Sequence, residues 1–373
     1  MNVNLWYNIR MSLKHTPVKL AIVGGGAAGM FAAAVAAERN IPALVIERKA
    51  RLGSKVLMTA NGRCNFTKDV SPEQFLRDLE DGTDAAMRTA RFAAEAIRGC
   101  PPRRIIAGLK SMHVPLRRMA DGRMFPADTK AATIVHAFGD LIRDADIGVL
   151  SNCAVTGIQP MKTGFIIATK NFTLWAENVL LATGGLSYPK TGSVGDGQNF
   201  ARQLGHRLVP YSSGLIGIVC SDRRVTSLAG QRFERGRAKV FDADGRMLYD
   251  YSGEVDCESF GLSGAAVYNA QRYLAHRLAE TSGEKKPELT LEVAFDRERI
   301  RLTNPQPRPL KEAIVTIGGV ALDEVDPRTM QSKLVPGLFF AGEVLDIDGP
   351  TGGYNLTLAF ATAHRAVSAI SGR

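Results

Sequence analysis

The sequence has little of what would place a chain outside the cell, in a membrane or around a metal. Only five cysteines and six histidines occur in 373 residues. Cys64, Cys100, Cys153, Cys220 and Cys257 fall in no Cys-x-x-Cys spacing and have no paired histidine nearby. This pattern argues against a disulfide framework and a zinc site, and reduced, mostly buried thiols are expected instead. No metal is expected. No stretch reaches the roughly 18 uncharged apolar residues that a spanning helix needs. Leu20 to Ala37 is apolar, but its glycines and the flanking Lys19, Glu38 and Arg39 mark a soluble strand-turn-helix. The first residues lack the apolar run of a secretory signal. The expectation is a cytoplasmic protein without membrane contact. Internal repeats and low-complexity tracts are absent too.

What is present is length, apolar content and glycine. A chain that is 45% hydrophobic with 37 glycines can build two or three cored domains, with many tight strand-to-helix turns. The net charge is +10, spread over separated clusters such as Arg103-Arg104, Arg117-Arg118 and Arg223-Arg224. Such a balance attracts nucleic acid or an anionic cofactor. Without an RNA-binding module signature, a solvated basic surface is the favoured reading.

Periodicity divides the chain. Val18–Val23 reads as a short apolar strand, Met30–Arg39 as an alanine-rich helix and Ala43–Ile46 as a second strand. Together they make a complete βαβ unit. Ser71–Leu109 is helix-prone with a break at Pro101-Pro102. Val155–Ile158, Gly164–Ala168 and Phe172–Trp175 alternate as an antiparallel meander, and Val179–Ala182 follows as a buried strand. From about Gly205 the character changes. Strands are expected around Gly214–Cys220, Ala238–Phe241 and Leu289–Val293, with a helix over Ala265–Ala279. Pro305–Pro309 connects back to a strand at Gly337–Ala341 and a helix at Asn355–Ile370.

Gly24-x-Gly26-x-x-Gly29 lies between the first strand and its helix, where a dinucleotide-binding turn belongs. Gly24 permits the turn, Gly26 lets backbone approach a pyrophosphate and Gly29 allows close helix–strand packing. The N–H groups around Ala27 and Ala28 open the helix towards phosphate. Glu47 ends the second strand, where a carboxylate meets a ribose hydroxyl and disfavours a 2′-phosphate. NAD and FAD both fit so far. FAD is favoured by the rest of the chain. Leu181–Gly185, with Ala182, Thr183 and Gly184, ends another strand, and Gly337–Glu343, with Gly342 and Glu343, repeats that form near the C-terminus. Glu343 is placed for a ribityl or pyrophosphate contact. The turn Gly352–Asn355 opens the last helix towards the flavin edge where negative charge develops on reduction.

Further motifs resemble the aminoacetone oxidase/BaiN-like (YhiN-type) family of FAD-binding proteins. They include Arg51–Lys55 followed by Asn61-Gly-Arg-Cys-Asn65, Gly122–Pro126, Ala182–Pro189 and Gly192–Gly197. Thr316–Val320, Glu324–Met330, Gly342–Gly349 and Thr351–Leu356 complete the series, which covers about half of the chain in order. The resemblance implies an NAD(P)/FAD-dependent oxidoreductase. Its fold class is α/β, a Rossmann-like two-dinucleotide-binding-domain flavoprotein with an antiparallel β-meander and an inserted, mainly β second domain. On that plan 17–205 and 311–373 form the FAD domain, and 206–310 form a substrate or cap domain. This cap is shortened, because the stretch between Ala266 and Ala313 is briefer than the family usually carries. The resemblance also places Lys55, Asn61, Gly62, Arg63, Cys64, Asn65, Gly353, Tyr354, Asn355 and Leu356 along the flavin.

Arg48, beside Glu47, and Val155, which opens the meander, complete the expected cofactor contacts. Asp346 and Asp348 either bind ribityl hydroxyls or cap a turn. Cys64 is expected to pack rather than react, and His206 to be a surface or capping histidine. No His–Asp pair or carboxylate pair stands out as a catalytic acid or base. With one complete Gly-x-Gly-x-x-Gly unit, NAD(P)H is expected only as a transient electron donor. The expected function is hydride transfer through flavin N5 to or from a small-molecule substrate. An FAD-binding protein linked to RNA or a protein partner, with little turnover of its own, is the alternative.

Overall fold

The computed structural model describes residues 18–281 and 286–370. The expected domain limits at residues 17 and 373 lie outside them. The centre is a parallel sheet built around Val18–Val23, which is buried almost throughout. Ala43–Ile46 and Thr173–Leu181 flank it in parallel. Gly148–Leu150 and Leu338–Phe340 extend the parallel sheet on either side. Strands buried on both faces read as apolar runs, as Ala43–Ile46 and Leu338–Phe340 do.

The expected third meander strand and the strand at Val179–Ala182 are one element, Thr173–Leu181. Its first half pairs antiparallel with Phe165–Thr169, and its second half enters the parallel core. The polar pair Glu177-Asn178 interrupts the apolar pattern but not the backbone. The Asn178 amide donates to the Lys19 carbonyl at 3.1 Å, so the polar step is satisfied within the sheet.

Helix Ala27–Glu38 buries Ala28, Gly29, Met30, Ala32, Ala33, Val35 and Ala36. It lies against the last helix, Tyr354–Ile370, where Phe31 stacks on Phe360 with centroids 4.9 Å apart. The helix-prone stretch divides where its caps fall. Ser71 caps Pro72–Leu79, Thr83 caps Asp84–Gly99, and Pro102 opens Pro102–Ser111.

A second core is formed by a six-stranded antiparallel sheet and helix Ala265–Glu280. Its longest strand, Met247–Glu258, escapes an apolar-pattern search. Its carboxylates are paired across the ladder, Asp250 with Arg237 and Asp256 with Arg232, each at 2.6 Å. Its apolar share is carried by Val255 and Cys257, buried in the second core, while the half-exposed ion pairs add register across the ladder. His206 departs from expectation as well. It is buried, its Nε2 is 2.9 Å from Ser332 Oγ, and its ring stands edge-on to Phe340.

The two cores are joined by a buried ionic network. Arg272, on the second core's helix, pairs with Asp348 and donates to Asp81 at 2.8 Å. His276, one turn on, reaches Asp348 Oδ2 at 3.0 Å and Thr83 Oγ1 at 3.2 Å. Asp348, in the segment leading to the last helix, is held well below the usual carboxylate range by Arg272 and His276 despite its burial. Asp348→Ala would leave two buried cations with only Asp81. Urea denaturation is expected to show a loss of about 3–5 kcal/mol, and a loss under about 1 kcal/mol would mean the network is not what joins the cores.

Nearby Asp346 behaves oppositely: burial and then repulsion from Asp348 push it up to about 6. Its folded value lies above the unfolded one, so its contribution is complete below about pH 4 and is lost as pH rises through about 6. Asp346→Asn should match the wild type at pH 4 and exceed it at pH 8 by about 1–2 kcal/mol, after discounting for partial exposure. Urea midpoints at the two pH values check this.

Candidate functional site

The parallel strands all end on one side, where an open α/β sheet binds ligands. At the end of the first strand Gly24 has φ +106°, and a Cβ there would meet the Ala182 carbonyl oxygen at 2.6 Å. A Cβ on Gly29 would lie 1.8 Å from the Gly24 oxygen. Both positions are closed to side chains by backbone. Gly26 is different, since a Cβ there would meet nothing within 4 Å. Gly26 caps the first helix with no side-chain hydrogen bond, so the opening N–H groups face free space.

Glu47 is almost fully buried behind this turn. Its Oε2 accepts from Gly25 N and its Oε1 from Lys49 N, each at 2.7 Å. Each oxygen keeps a second lone pair for a hydroxyl donor. Arg48 pairs with Asp196 at 2.9 Å across the mouth.

One cleft collects most of the residues expected to contact a cofactor. Gly24, Gly26, Ala27, Ala28, Glu47 and Arg48 line it from the first βαβ unit. Lys55, Val155, Ala182, Thr183 and Gly184 join them from later segments, and Gly342, Glu343, Asn355 and Leu356 return to it near the C-terminus. The cleft holds about 1270 Å³ of space, counted out to its open mouth. The buried Thr183 hydroxyl has no protein partner. A helix N-terminus without a side-chain cap and the room over Gly26 together fit an extended dinucleotide.

In the cleft lining Lys55 Nζ donates to Glu343 Oε2 and to Ser187 Oγ, both at 2.6 Å. Glu343 Oε1 also accepts from Thr316 N at 2.7 Å and from Ser187 Oγ at 3.1 Å. Sequence reasoning did not single out Ser187 or Thr316, although both lie within the motifs quoted above. Their role needed the fold, because Ser187 meets Lys55 and Glu343 from more than a hundred residues away and Thr316 meets Glu343 through its backbone N–H.

The other expected residues do not line this cleft. Gly29 lies beneath the turn. Asn61, Gly62 and Cys64 have positive φ in the loop after Lys55, and Arg63 sits over the Phe125 ring at 5.9 Å. Cys64 is buried and its thiol is pushed up to about 11 by that burial, so it is not a thiolate at neutral pH. The Asn65 amide, oriented by its neighbours, accepts from Gly353 N at 3.2 Å and donates to the Thr67 and Met124 carbonyls. This ties the loop to the start of the last helix. Asp348 is committed to the ionic network.

Tyr354 lines a second cavity of about 1530 Å³, also counted to its mouth, between that helix and the antiparallel sheet. Its hydroxyl donates to Asp78 Oδ2 at 2.5 Å and accepts from Lys68 Nζ at 2.8 Å. Thr351 holds the neighbouring turn to the second core, exchanging two hydrogen bonds of 2.9 Å with Asn269. Among the described residues, no helix is long and apolar enough to cross a membrane.

Comparison with known proteins agrees with this geometry. A 3-dehydro-bile acid delta(4,6)-reductase of Clostridium scindens is 26% identical, over 95% of this chain and 99% of its own length. That alignment runs to 419 positions against a chain of 373, so the relative carries segments this chain lacks. A ribosomal RNA dihydrouridine synthase of Escherichia coli is 27% identical, over 92% and 95%. Among solved structures, a 3-ketosteroid delta1-dehydrogenase from Sterolibacterium denitrificans superposes with a TM-score of 0.59. It is 12% identical and covers 95% of this chain and 99% of its own. A flavocytochrome c3 fumarate reductase superposes at 0.54, with 15% identity, 98% of this chain and 80% of its own. At such identities they establish the fold alone. The model of the HI0933-like protein Rossmann domain matches residues 18–369, and the chain therefore belongs to that family of FAD-dependent oxidoreductases.

Proposed function

We propose that the chain binds FAD along the first cleft and reduces a carbon–carbon double bond conjugated to a carbonyl. The observation that carries the reading is the cleft itself, which runs from the open helix at Gly26 to the Lys55–Glu343 pair and the start of the last helix. The backbone at Gly24, Gly26, Ala27 and Ala28 would hold the pyrophosphate, and Glu47 a ribose. Ala182, Thr183, Gly184, Gly342 and Glu343 would run beside the ribityl chain. The first N–H groups at Asn355 and Leu356 would face the ring edge that gains negative charge. Bound there, a flavin supplies hydride at N5, recharged by a transiently visiting NAD(P)H. The protein orients it, shields it from water and supplies the proton that completes a reduction.

The Clostridium scindens relative is named as a delta(4,6)-reductase, which supports a reductase over an amine-type oxidase. The segment 206–310 serves as the substrate-side unit that covers the second cavity. A small molecule is the preferred substrate. A uridine presented by RNA is the second reading, favoured by the net charge of +10 and by the name of the Escherichia coli relative.

The purified protein should show a flavin spectrum that bleaches on anaerobic addition of NADH or NADPH. A colourless protein that FAD cannot reconstitute would refute the cofactor, and a flavin indifferent to both donors would refute the nicotinamide-driven reductase. Gly26→Val sharpens the test, because the side chain enters free space. The variant should fold with an unchanged Tm and bind FAD at least 100-fold more weakly, a loss of about 3 kcal/mol. Normal FAD affinity in Gly26→Val would remove the pyrophosphate from this turn.

A further inference from the structure

We infer that the second cavity is the substrate site and that Tyr354 is its proton donor, with Lys68 and Asp78 as positioning residues. This rests on the reductase reading above and goes beyond it by naming a site and an acid. Tyr354 and Asn355 are consecutive, yet Tyr354 lines the second cavity and Asn355 the cofactor cleft. The first turn of the last helix therefore stands between the two spaces, with the Tyr354 hydroxyl on the substrate side. That turn is fixed from both sides, by Asn65 on Gly353 and by Asn269 on Thr351. Across the cavity Tyr249 and Tyr251 present near-parallel rings, 4° apart with centroids at 6.5 Å. Such a wall suits a flat conjugated ligand.

The hydroxyl's partners indicate its role. Packing of the ring against Phe75, with centroids 4.9 Å apart, needs no polar partner. Here the hydroxyl nevertheless meets an ammonium at 2.8 Å and a carboxylate at 2.5 Å, themselves 3.3 Å apart, and Gln74 donates to Asp78 Oδ1 at 2.6 Å. Burial and Asp78 keep the phenol protonated at neutral pH. The substrate has the class C=C–C=O. Hydride, with its electron pair, adds to the β-carbon, and the π pair moves onto the carbonyl as an enolate. The α-carbon then takes the Tyr354 proton, so a C–H bond forms and the O–H bond breaks. An enolate carbon is a much stronger base than a phenolate, so even a weak phenol suffices. Lys68 offsets the phenolate charge and returns a proton drawn from solvent. The reductant would be the FAD proposed for the first cleft, recharged by reduced nicotinamide.

The test uses the FAD-loaded protein with two probes of this class, a 3-oxo-4-ene steroid and a uridine-containing oligoribonucleotide. Equilibrium dialysis gives probe affinity without turnover. Recovery of flavin colour, after anaerobic reduction and mixing with probe, gives the oxidative step. Wild type should bind and be reoxidised by one probe, and which one identifies the source of the conjugated ring. Tyr354→Phe should keep its flavin content and its probe Kd within threefold, while reoxidation slows at least 100-fold. Lys68→Met should slow it about tenfold and Lys68→Arg should recover most of that, a rescue that loss of packing would not give. Ser252→Trp, on the exposed cavity wall, should weaken probe binding at least tenfold with normal flavin content. Tyr354→Phe reoxidised at the wild-type rate overturns the acid. Undiminished probe binding in Ser252→Trp overturns the cavity. A reduced wild type that neither probe reoxidises removes the reductase reading, and the inference falls with it.

Discussion

The arrangement depends on one constraint: three strand ends converge where there is room for backbone but not for side chains. Gly24 turns directly against the Ala182 carbonyl, and Gly29 presses on Gly24. Gly342, after Leu338–Phe340, has φ +73°, a conformation that side chains rarely adopt, and a Cβ there would press on the Ala28 Cβ at 3.2 Å. Each contact draws a loop into the same crevice from a different part of the sequence. The cleft is the space left over once those backbones have met. Any Cβ at Gly24 or Gly29 would push the first helix from the sheet, and the N–H groups it presents would move with it.

A second constraint sets how the antiparallel unit meets the last helix. The antiparallel unit is fixed through its helix, which contributes Asn269, Arg272 and His276 to the segment preceding the last helix. A surface contact would let the unit rock. A buried network has few alternative pairings, since each group in it already has its partner inside. The turn at Thr351–Gly353 is thus held by both cores at once. Its position fixes Tyr354 and Asn355 together, although they serve different spaces.

Much of the Rossmann part was legible because each element announced itself locally. Val18–Val23, the glycine turn and Glu47 form one short pattern. Ser71–Leu109 showed its helical character and the proline break, but not the cap at Thr83 that divides it again. The antiparallel unit was harder to read. In Met247–Glu258 only Val255 and Cys257 are fully buried in alternation, and its first half carries Asp250 and Ser252 among half-buried tyrosines, so the apolar signal there is short. Thr173–Leu181 reads as two strands because Glu177-Asn178 has the composition of a turn, and its satisfaction by Lys19 comes from a distant segment. The site divides in the same way. Gly26, Glu47, Lys55 and Glu343 lie in motifs, whereas the pairing of Tyr354 with Lys68 and Asp78, or of Asp348 with Arg272, joins segments with no shared pattern. Residue type gave Asp348 two plausible roles, and only the fold showed a third.

The charge distribution bears on how a cleft in so basic a chain would select its ligand. Its lining sets Arg48 and Lys55 against Glu47, Asp196 and Glu343, and both cations are already paired. Side chains thus give the cleft no excess of positive charge, and the net +10 lies elsewhere. A diphosphate would be held chiefly by oriented N–H groups at the first helix, whose partial charge is fixed in place and does not attract polyanions at a distance. Long-range attraction belongs to the scattered surface arginines and falls with salt. The two functions are separable on this basis. Cofactor retention should be nearly indifferent to ionic strength, and whatever the outer surface attracts should not.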